Sequence, residues 1–301
     1  MILIVSNNNE GTTTEVIKWL YQMKKEFIRV DEDEIFDIKM FNNKLFLQGN
    51  TSSFFVDDIT SVWYRRGGIK FRRLRYTHDS VNLHMNEVQH WLEDYVFHTL
   101  EEKRTINKQR KIHLNKLMVL EKAKEAGLDV PKFFLSNKID GDVKLGKTIV
   151  KPLAGNPILQ SITEDCYGVM YTAIVDENIE SEFFISFFQE KIEKDFEIRT
   201  FYLNGKCWST AIFSQNDDQT KVDFRKYNDE KPNRNLPYRL PEETERRCKN
   251  LMEKIGLNCG SLDFIKKGEK YFFLEVNPVG QFLAPSDNCN YSLDKLVADS
   301  L

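Results

Sequence analysis

The stretch Gly260–Gln281, GSLDFIKKGEKYFFLEVNPVGQ, constrains the fold more than any other part of the chain. Two apolar, aromatic-rich runs, Ser261–Ile265 and Tyr271–Val276, flank Lys267-Gly268-Glu269, which reads as the turn of a β-hairpin. Folded about that turn, Asp263 comes level with Glu275. Glu275 and Asn277 lie two apart, so an extended strand points both to one face. Two carboxylates and an amide oxygen then converge. Hard divalent cations take such ligands, and Mg²⁺ is usually held by one or two carboxylates plus nucleotide phosphates. This stretch alone reads equally well as a surface hairpin with ordinary charges, so the rest of the chain must decide.

The 301 residues suffice for one large domain or two to three lobes, and 41% hydrophobic residues can build a real core. The net charge of −3 is the difference of 43 basic and 46 acidic residues, interspersed. That balance argues against a nucleic-acid-coating protein, which would be basic. No apolar run reaches the roughly 18 residues of a membrane span. MILIVSNNNEG has no basic region before its apolar run, so it reads as a buried first strand rather than a signal peptide. Five cysteines (166, 207, 248, 259, 289) without C-x-x-C spacing fit reduced thiols in a cytosolic protein. The five histidines show no zinc pattern.

In chain order, Ile2–Val5, a helix from Thr12–Thr14 to about Met23, and Phe27–Val30 predict a β-α-β opening to an α/β lobe. G-x-G-x-x-G is absent, so this is not a dinucleotide site. Short strands fill 35–64, with turns at Asn42-Asn43 and Gln48-Gly49-Asn50. Arg65-Arg66 at a strand end before Gly67-Gly68 reads as an anion site or a solvated turn. A long helix capped by Ser80 carries the stripe Val88, Trp91, Leu92, Tyr95, Val96, Leu100, which reads as core packing. The first lobe ends near 105. A helix then runs from Asn115-Lys116 to Gly127. Lys151 ends a β-run before the small-residue loop Ala154-Gly155-Asn156-Pro157, a setting that suits phosphate although no P-loop is present. FFISFFQEKI turns abruptly polar at Gln189-Glu190-Lys191. Glu197 and Arg199 share a strand face, Asn204-Gly205 signals a type I′ hairpin, and a polar run including Asp223-Phe224-Arg225 precedes a helix from Pro241 to Ile255.

This ordered set resembles the ATP-grasp ligases: Asn115-Lys116, Lys151-Pro152, Gln189-Glu190-Lys191-Ile192, Glu197-x-Arg199, Asp223-Phe224-Arg225, Asp263, and Glu275-x-Asn277-Pro278. The resemblance implies an α/β fold built of α+β lobes, an ATP-grasp core behind an N-terminal pre-ATP-grasp lobe. The lobes would span 1–105, 106–188 and 189–301. ATP and Mg²⁺ are the implied cofactors. By the resemblance Lys116 and Lys151 hold the nucleotide phosphates, and Gln189, Glu190, Lys191 and Ile192 form the hinge against adenine. Glu197 takes the ribose, Asp263, Glu275 and Asn277 hold Mg²⁺, and Arg199 and Arg225 stand near the transferred phosphate. The loop after Lys151 departs from the family pattern in having less glycine.

WYRRG, DFRKYNDEKPNR and FLEVNPVGQF further resemble the graspetide or microviridin-type maturases, and most the grasp-with-spasm kind. Those enzymes join Asp or Glu side chains of a ribosomal precursor peptide to Ser, Thr or Lys side chains. The implied partner is a leader plus a Glu/Asp-rich core, with Arg65, Arg66, Arg225 and Lys226 contacting the acidic core. A homodimer is implied as well, in the cytoplasm, with no nucleic acid or membrane partner. Two other readings stay open at this point: a ligase acting on a protein tail or small amino acids, and a nucleotide-binding module without catalysis.

Overall fold

The structure is a computed structural model and describes residues 1–111, 113–139, 141–153, 172–177, 182–215, 228, 230 and 232–301, with backbone alone for 158–163 and 166–169. The first lobe opens with β1 (Ile2–Val5), α1 (Gly11–Gln22) and β2 (Phe27–Val30). A meander follows, β3 (Ile35–Phe41), β4 (Lys44–Gln48) and β5 (Ser53–Phe55), then β6 (Ser61–Tyr64), β7 (Lys70–Phe71), α2 (Asp79–Glu101) and β8 (Arg104–Ile106). Strands β2-β1-β6-β8 form a parallel sheet in that order. Both central strands are buried along their whole length, which is why they read as unbroken apolar runs. Asn42 and Asn43 both take positive φ at the β3–β4 turn, the backbone a two-residue hairpin demands.

The middle of the chain holds α3 (Lys116–Glu125), β9 (Phe133–Lys138), β10 (Thr148–Lys151), β11 (Ile158–Thr163), β12 (Cys166–Val169), β13 (Ala173–Ile174) and β14 (Glu182–Glu190). Asn115 caps α3, its side-chain oxygen accepting from the N–H groups of Leu117 and Met118, so Lys116 is the first helical residue. Strands β13-β10-β14-β9 make an antiparallel sheet. The last lobe comprises β15 (Phe196–Leu203), β16 (Lys206–Phe213), β17 (Arg234–Tyr238), α4 (Glu242–Ile255), β18 (Cys259–Lys267), β19 (Lys270–Asn277), α5 (Leu283–Cys289) and α6 (Leu293–Ser300). Its sheet, β17-β16-β15-β18-β19, is antiparallel. One face packs Ile198, Leu262, Phe264 and Phe273 against Val119, Leu120 and Ala123 of α3 and Cys248, Leu251 and Met252 of α4. Gly256 ends α4 in the left-handed conformation (φ +71°).

A second core joins the first lobe to the end of the chain: Ile2, Ile4, Val16, Leu20 and Trp63 pack with Phe201, Phe282, Leu293 and Val297. The expectation for α2 needs correction. Of its six-residue apolar stripe only Val96 and Leu100 are buried, while Trp91 is 68% and Tyr95 60% exposed. The periodicity marks an apolar face, and among the described residues only the C-terminal end of that face is covered. Among the described residues no helix is long and apolar enough to cross a membrane.

Candidate active site

The β18–β19 hairpin does bring Asp263 opposite Glu275 and Ser261 opposite Asn277, but by a route its sequence does not disclose. Nearest the turn the pairs are Lys267–Lys270, Ile265–Phe272 and Phe264–Phe273. Continued regularly, that register would set Asp263 against Leu274 and send Glu275 to the other face. A bulge between Asp263 and Phe264 absorbs one extra residue of β19, so Leu274 and Glu275 both line the same cavity. Two carboxylates on one face are thus the product of a single inserted position.

The register of the sheet extends this arrangement. Thr210, Arg199, Asp263 and Glu275 stand side by side on four adjacent strands. Arg199 Nη1 donates to Asp263 Oδ2 at 3.4 Å and Oδ1 at 3.5 Å, and its Nε donates to the Gln281 carbonyl at 3.3 Å. Its Nη2 is buried and has no hydrogen-bond partner among the described residues. Lys116 Nζ lies 3.4 Å from Glu275 Oε2 and donates to the Pro152 carbonyl at 3.0 Å. Each carboxylate therefore has a cation from another element beside it, which offsets the repulsion of two like charges placed together.

The cavity in front of this row has a volume of about 220 Å³. Lys151, Gln189, Glu190, Lys191, Ile192, Glu197, Asp263 and Glu275 line it, together with the apolar walls Ile149, Ile174, Ile265 and Leu274. Glu190 and Lys191 donate their backbone N–H groups to the carbonyls of Lys132 and Lys147. Glu197 is buried, its Oε1 accepting from Lys194 at 2.6 Å and its Oε2 from Ser214 at 2.9 Å. Asn277 Oδ1 accepts from the Val279 N–H at 3.0 Å, which fixes the amide while one lone pair remains. Two carboxylates and one amide are hard oxygen donors that suit Mg²⁺ sharing its coordination with phosphate oxygens. Among the described residues no group of three or more His, Cys, Asp and Glu offers a metal site made of protein alone.

A second cavity of about 410 Å³ lies beyond Arg199, lined by Glu10, Thr12, Thr210, Asn233, Asn235 and Phe282 among others. Arg199 borders this cavity and its partner Asp263 borders the first, so the ion pair stands between them. Arg65 is not a peptide contact, contrary to expectation. It is 1% exposed, its Nη2 lies 2.9 Å from Glu10 Oε1, and its Nη1 donates to the Gly280 carbonyl at 3.2 Å. Burial raises the Glu10 carboxyl, but the Arg65 guanidinium and Thr13 donors outweigh it and hold the group down at about 2. Arg66 is half-buried and Lys116 borders neither cavity, touching the row only through Glu275. Arg225, Lys226 and the loop Ala154–Pro157 lie outside the described residues. Lys194, Ser214, Glu10 and the Gln281 carbonyl were not singled out from sequence. Lys194, three before Glu197, carried a weak local signal, whereas Glu10 meets Arg65 only through the fold.

No family model matches the chain. No curated protein matches it either. Solved structures do. The macrocyclase MdnC bound with precursor peptide MdnA, from Microcystis aeruginosa MRC, is 22% identical with a TM-score of 0.75, over 99% of this chain and 98% of that one. A RiPP-associated ATP-grasp ligase from Chryseobacterium gregarium, in complex with ADP and a leader and core peptide, is 21% identical with a TM-score of 0.75, over 99% and 94%. The ATP-grasp ligase PsnB, complexed with a phosphomimetic variant of its minimal precursor, Mg and ADP, is 17% identical with a TM-score of 0.69, over 99% and 96%. The chain has the ATP-grasp fold along its whole length, as the order of its motifs leads one to expect.

Proposed function

We propose that the chain is an ATP-dependent, ADP-forming carboxylate ligase that closes ω-ester or ω-amide rings in a ribosomal precursor peptide. The observation that carries this reading is the cross-sheet row Arg199–Asp263–Glu275, with a hinge-lined cavity on one side and a second cavity on the other. The neighbours of the same fold that hold precursor peptides and ADP support it. On this reading 106–188 and 189–301 enclose the nucleotide, and 1–105 with the end of the chain walls the peptide side.

In the first step a carboxylate oxygen of the peptide attacks the γ-phosphorus of ATP. The bond to the bridging oxygen breaks and ADP leaves. In the second step a hydroxyl or amine attacks the acyl carbon, phosphate departs and the nucleophile loses its proton. Lys151 positions the phosphates from the cavity wall, Lys116 is assigned to them by resemblance alone, and Ile192 offers the hinge N–H that no backbone carbonyl takes among described residues 190–192. Glu197 is placed for the ribose hydroxyls. Asp263, Glu275 and Asn277 would hold Mg²⁺, which when bound supplies charge neutralisation at the phosphates. Arg199 brings its Nη2, which has no partner among the described residues, to the developing negative charge. Arg225 is assigned the same neighbourhood by resemblance. Arg66, Arg225 and Lys226 are then the candidates for an acidic core, outside which a leader docks. A homodimer and a cytosolic setting, in keeping with four free cysteines among the described residues, belong to the same reading.

ADP release measured against different acceptors tests this. A Glu/Asp-rich peptide with a matching leader should accelerate ADP formation, whereas free amino acids should not. Acceleration by free amino acids alone would point to a small-molecule or tail ligase. Nucleotide binding without turnover under any acceptor would point to a non-catalytic module.

A further inference from the structure

Arg65 borders neither cavity, yet every nitrogen of its buried guanidinium is engaged. Nε and Nη2 donate to the two oxygens of Glu10 at 3.4 and 2.9 Å. That ion pair accounts for the burial of the charge. It does not account for the third bond, from Nη1 to the Gly280 carbonyl, 215 residues away in the chain. The Arg65 Cζ also stands over the ring of Phe282, 5.6 Å from its centroid.

Gly280 belongs to a strap that runs from Asn277, at the end of β19, to the start of α5. Four carbonyls of the strap are held. Asn277 accepts from the Gly280 N–H at 3.0 Å, Pro278 from Asn107 Nδ2 at 2.9 Å, Gly280 from Arg65, and Gln281 from Arg199 Nε at 3.3 Å. Gly280 takes φ +58°, and a Cβ there would stand 3.2 Å from the Phe201 ring and 3.4 Å from the Gly260 backbone, so the strap lies tight against the sheet. Arg65 and Arg199 therefore grip consecutive carbonyls of one strap. Arg199 has its other contact through Nη1 on Asp263, and these two contacts fix the plane of its guanidinium. Without the Gln281 carbonyl the guanidinium could turn and take both Asp263 oxygens through Nη1 and Nη2, the fork geometry that arginine and carboxylate favour.

We infer that Arg65 is a positioning residue for the ligase reaction: through the Gly280 carbonyl it keeps the Gln281 carbonyl in place for Arg199, whose Nη2 then faces the reacting groups instead of folding onto Asp263. The inference rests on the role given to Arg199 above and adds the group that sets its orientation. Glu10, which lines the second cavity, anchors Arg65 in turn, so the peptide-side wall and the aim of Arg199 share one support.

Two measurements test this, and the first needs no turnover. In the full chain labelled with ¹⁵N-arginine, the Arg199 Nε–H, identified by its loss in Arg199→Lys, should exchange slowly with solvent. Arg65→Lys keeps a cation beside Glu10 but lacks the planar fork that reaches Glu10 and Gly280 together, so the Arg199 Nε–H should exchange several-fold faster. The second is turnover with ATP, Mg²⁺ and a leader-bearing, Glu-rich peptide. Arg65→Lys should lower kcat by about 10²-fold, the cost of a misplacement of about 1 Å, while the KM for ATP and the calorimetric affinity for ADP stay unchanged. In an Arg199→Lys background the same substitution should cost little, because the group it positions is gone. A merely structural role would lower turnover by the same factor in both backgrounds, and that result would overturn the inference. Glu10→Gln, which keeps the side-chain shape and loosens the ionic anchor, should move exchange and kcat in the same direction, and it carries both measurements if Arg65→Lys does not fold. Unchanged Arg199 Nε–H exchange in the variants would equally overturn the inference. If the unmodified chain releases no ADP with any acceptor, the enzymatic reading falls, and the exchange measurement still decides whether Arg65 positions Arg199.

Discussion

At the scale of single residues the account rests on Asp263, Glu275 and Lys151. Asp263→Asn or Glu275→Gln changes a ligand oxygen and little packing, so the fold should persist while ADP formation falls by about 10²–10³, the loss typical of one electrostatic stabiliser. Circular dichroism melts alongside a turnover assay check both halves, and full activity in either variant would refute the metal assignment. Lys151→Ala should raise the ATP concentration needed for half-maximal rate by about tenfold or more, as expected for a charge-assisted contact of about 1.5–3 kcal/mol. An unchanged requirement would make the lysine a bystander. Their gathering at one cavity was legible from residue type and from the hairpin that brings the carboxylates level, whereas their roles belong to the proposal. Arg65 was misread for the converse reason. Arginine at a strand end is usually exposed, and its burial depends on Glu10, 55 residues away in the chain.

At the scale of elements, Arg65 fastens three pieces: the end of β6, the capping residue of α1, and the loop at Gly280 whose neighbour Gln281 receives Arg199. Arg65→Ala should cost about 3–5 kcal/mol, since it strands a largely buried carboxylate, and urea unfolding measures it. The same pair sets a pH dependence. Glu10 is held at about 2 against an ordinary 4.5, so its folded form is the better acid. The stability it contributes is complete above about pH 4.5 and disappears as pH falls towards 2. Glu10→Gln should lack that component of the acid transition while unfolding more easily at neutral pH. The hairpins at Asn42-Asn43 and Asn204-Gly205 and the α4 stop at Gly256 were readable because each demands a positive φ. The bulge at Leu274 was not, because nothing in the run Tyr271–Val276 marks which residue is extra.

At the scale of the whole molecule, the uncovered face of α2 is the feature most in need of a partner. Val81, Met85, Val88, Leu92 and Tyr95 follow the alternating four-and-three spacing of a coiled-coil seam, and four of the five are exposed. Such a stripe is self-complementary, and the proposed homodimer would cover it. Sedimentation should show a dimer that Leu92→Glu with Tyr95→Glu converts to monomer, and a monomeric parent chain would refute the seam. Sequence periodicity revealed the stripe but not its surroundings, because amphipathicity reports that a face is apolar and not what covers it. The overall fold was legible through the order of the motifs, and the core that packs the first strand against α6 was not, since it joins residues nearly three hundred positions apart.

The claim that binds these scales is ring closure in a peptide at the expense of ATP. Its most direct test is mass spectrometry of a leader-bearing, Glu-rich precursor incubated with the chain, ATP and Mg²⁺. The account predicts loss of one water per ring, dependent on ATP and absent with Glu275→Gln. Hydroxylamine treatment would then sort esters from amides. An unchanged peptide mass in the presence of sustained ADP release would contradict it.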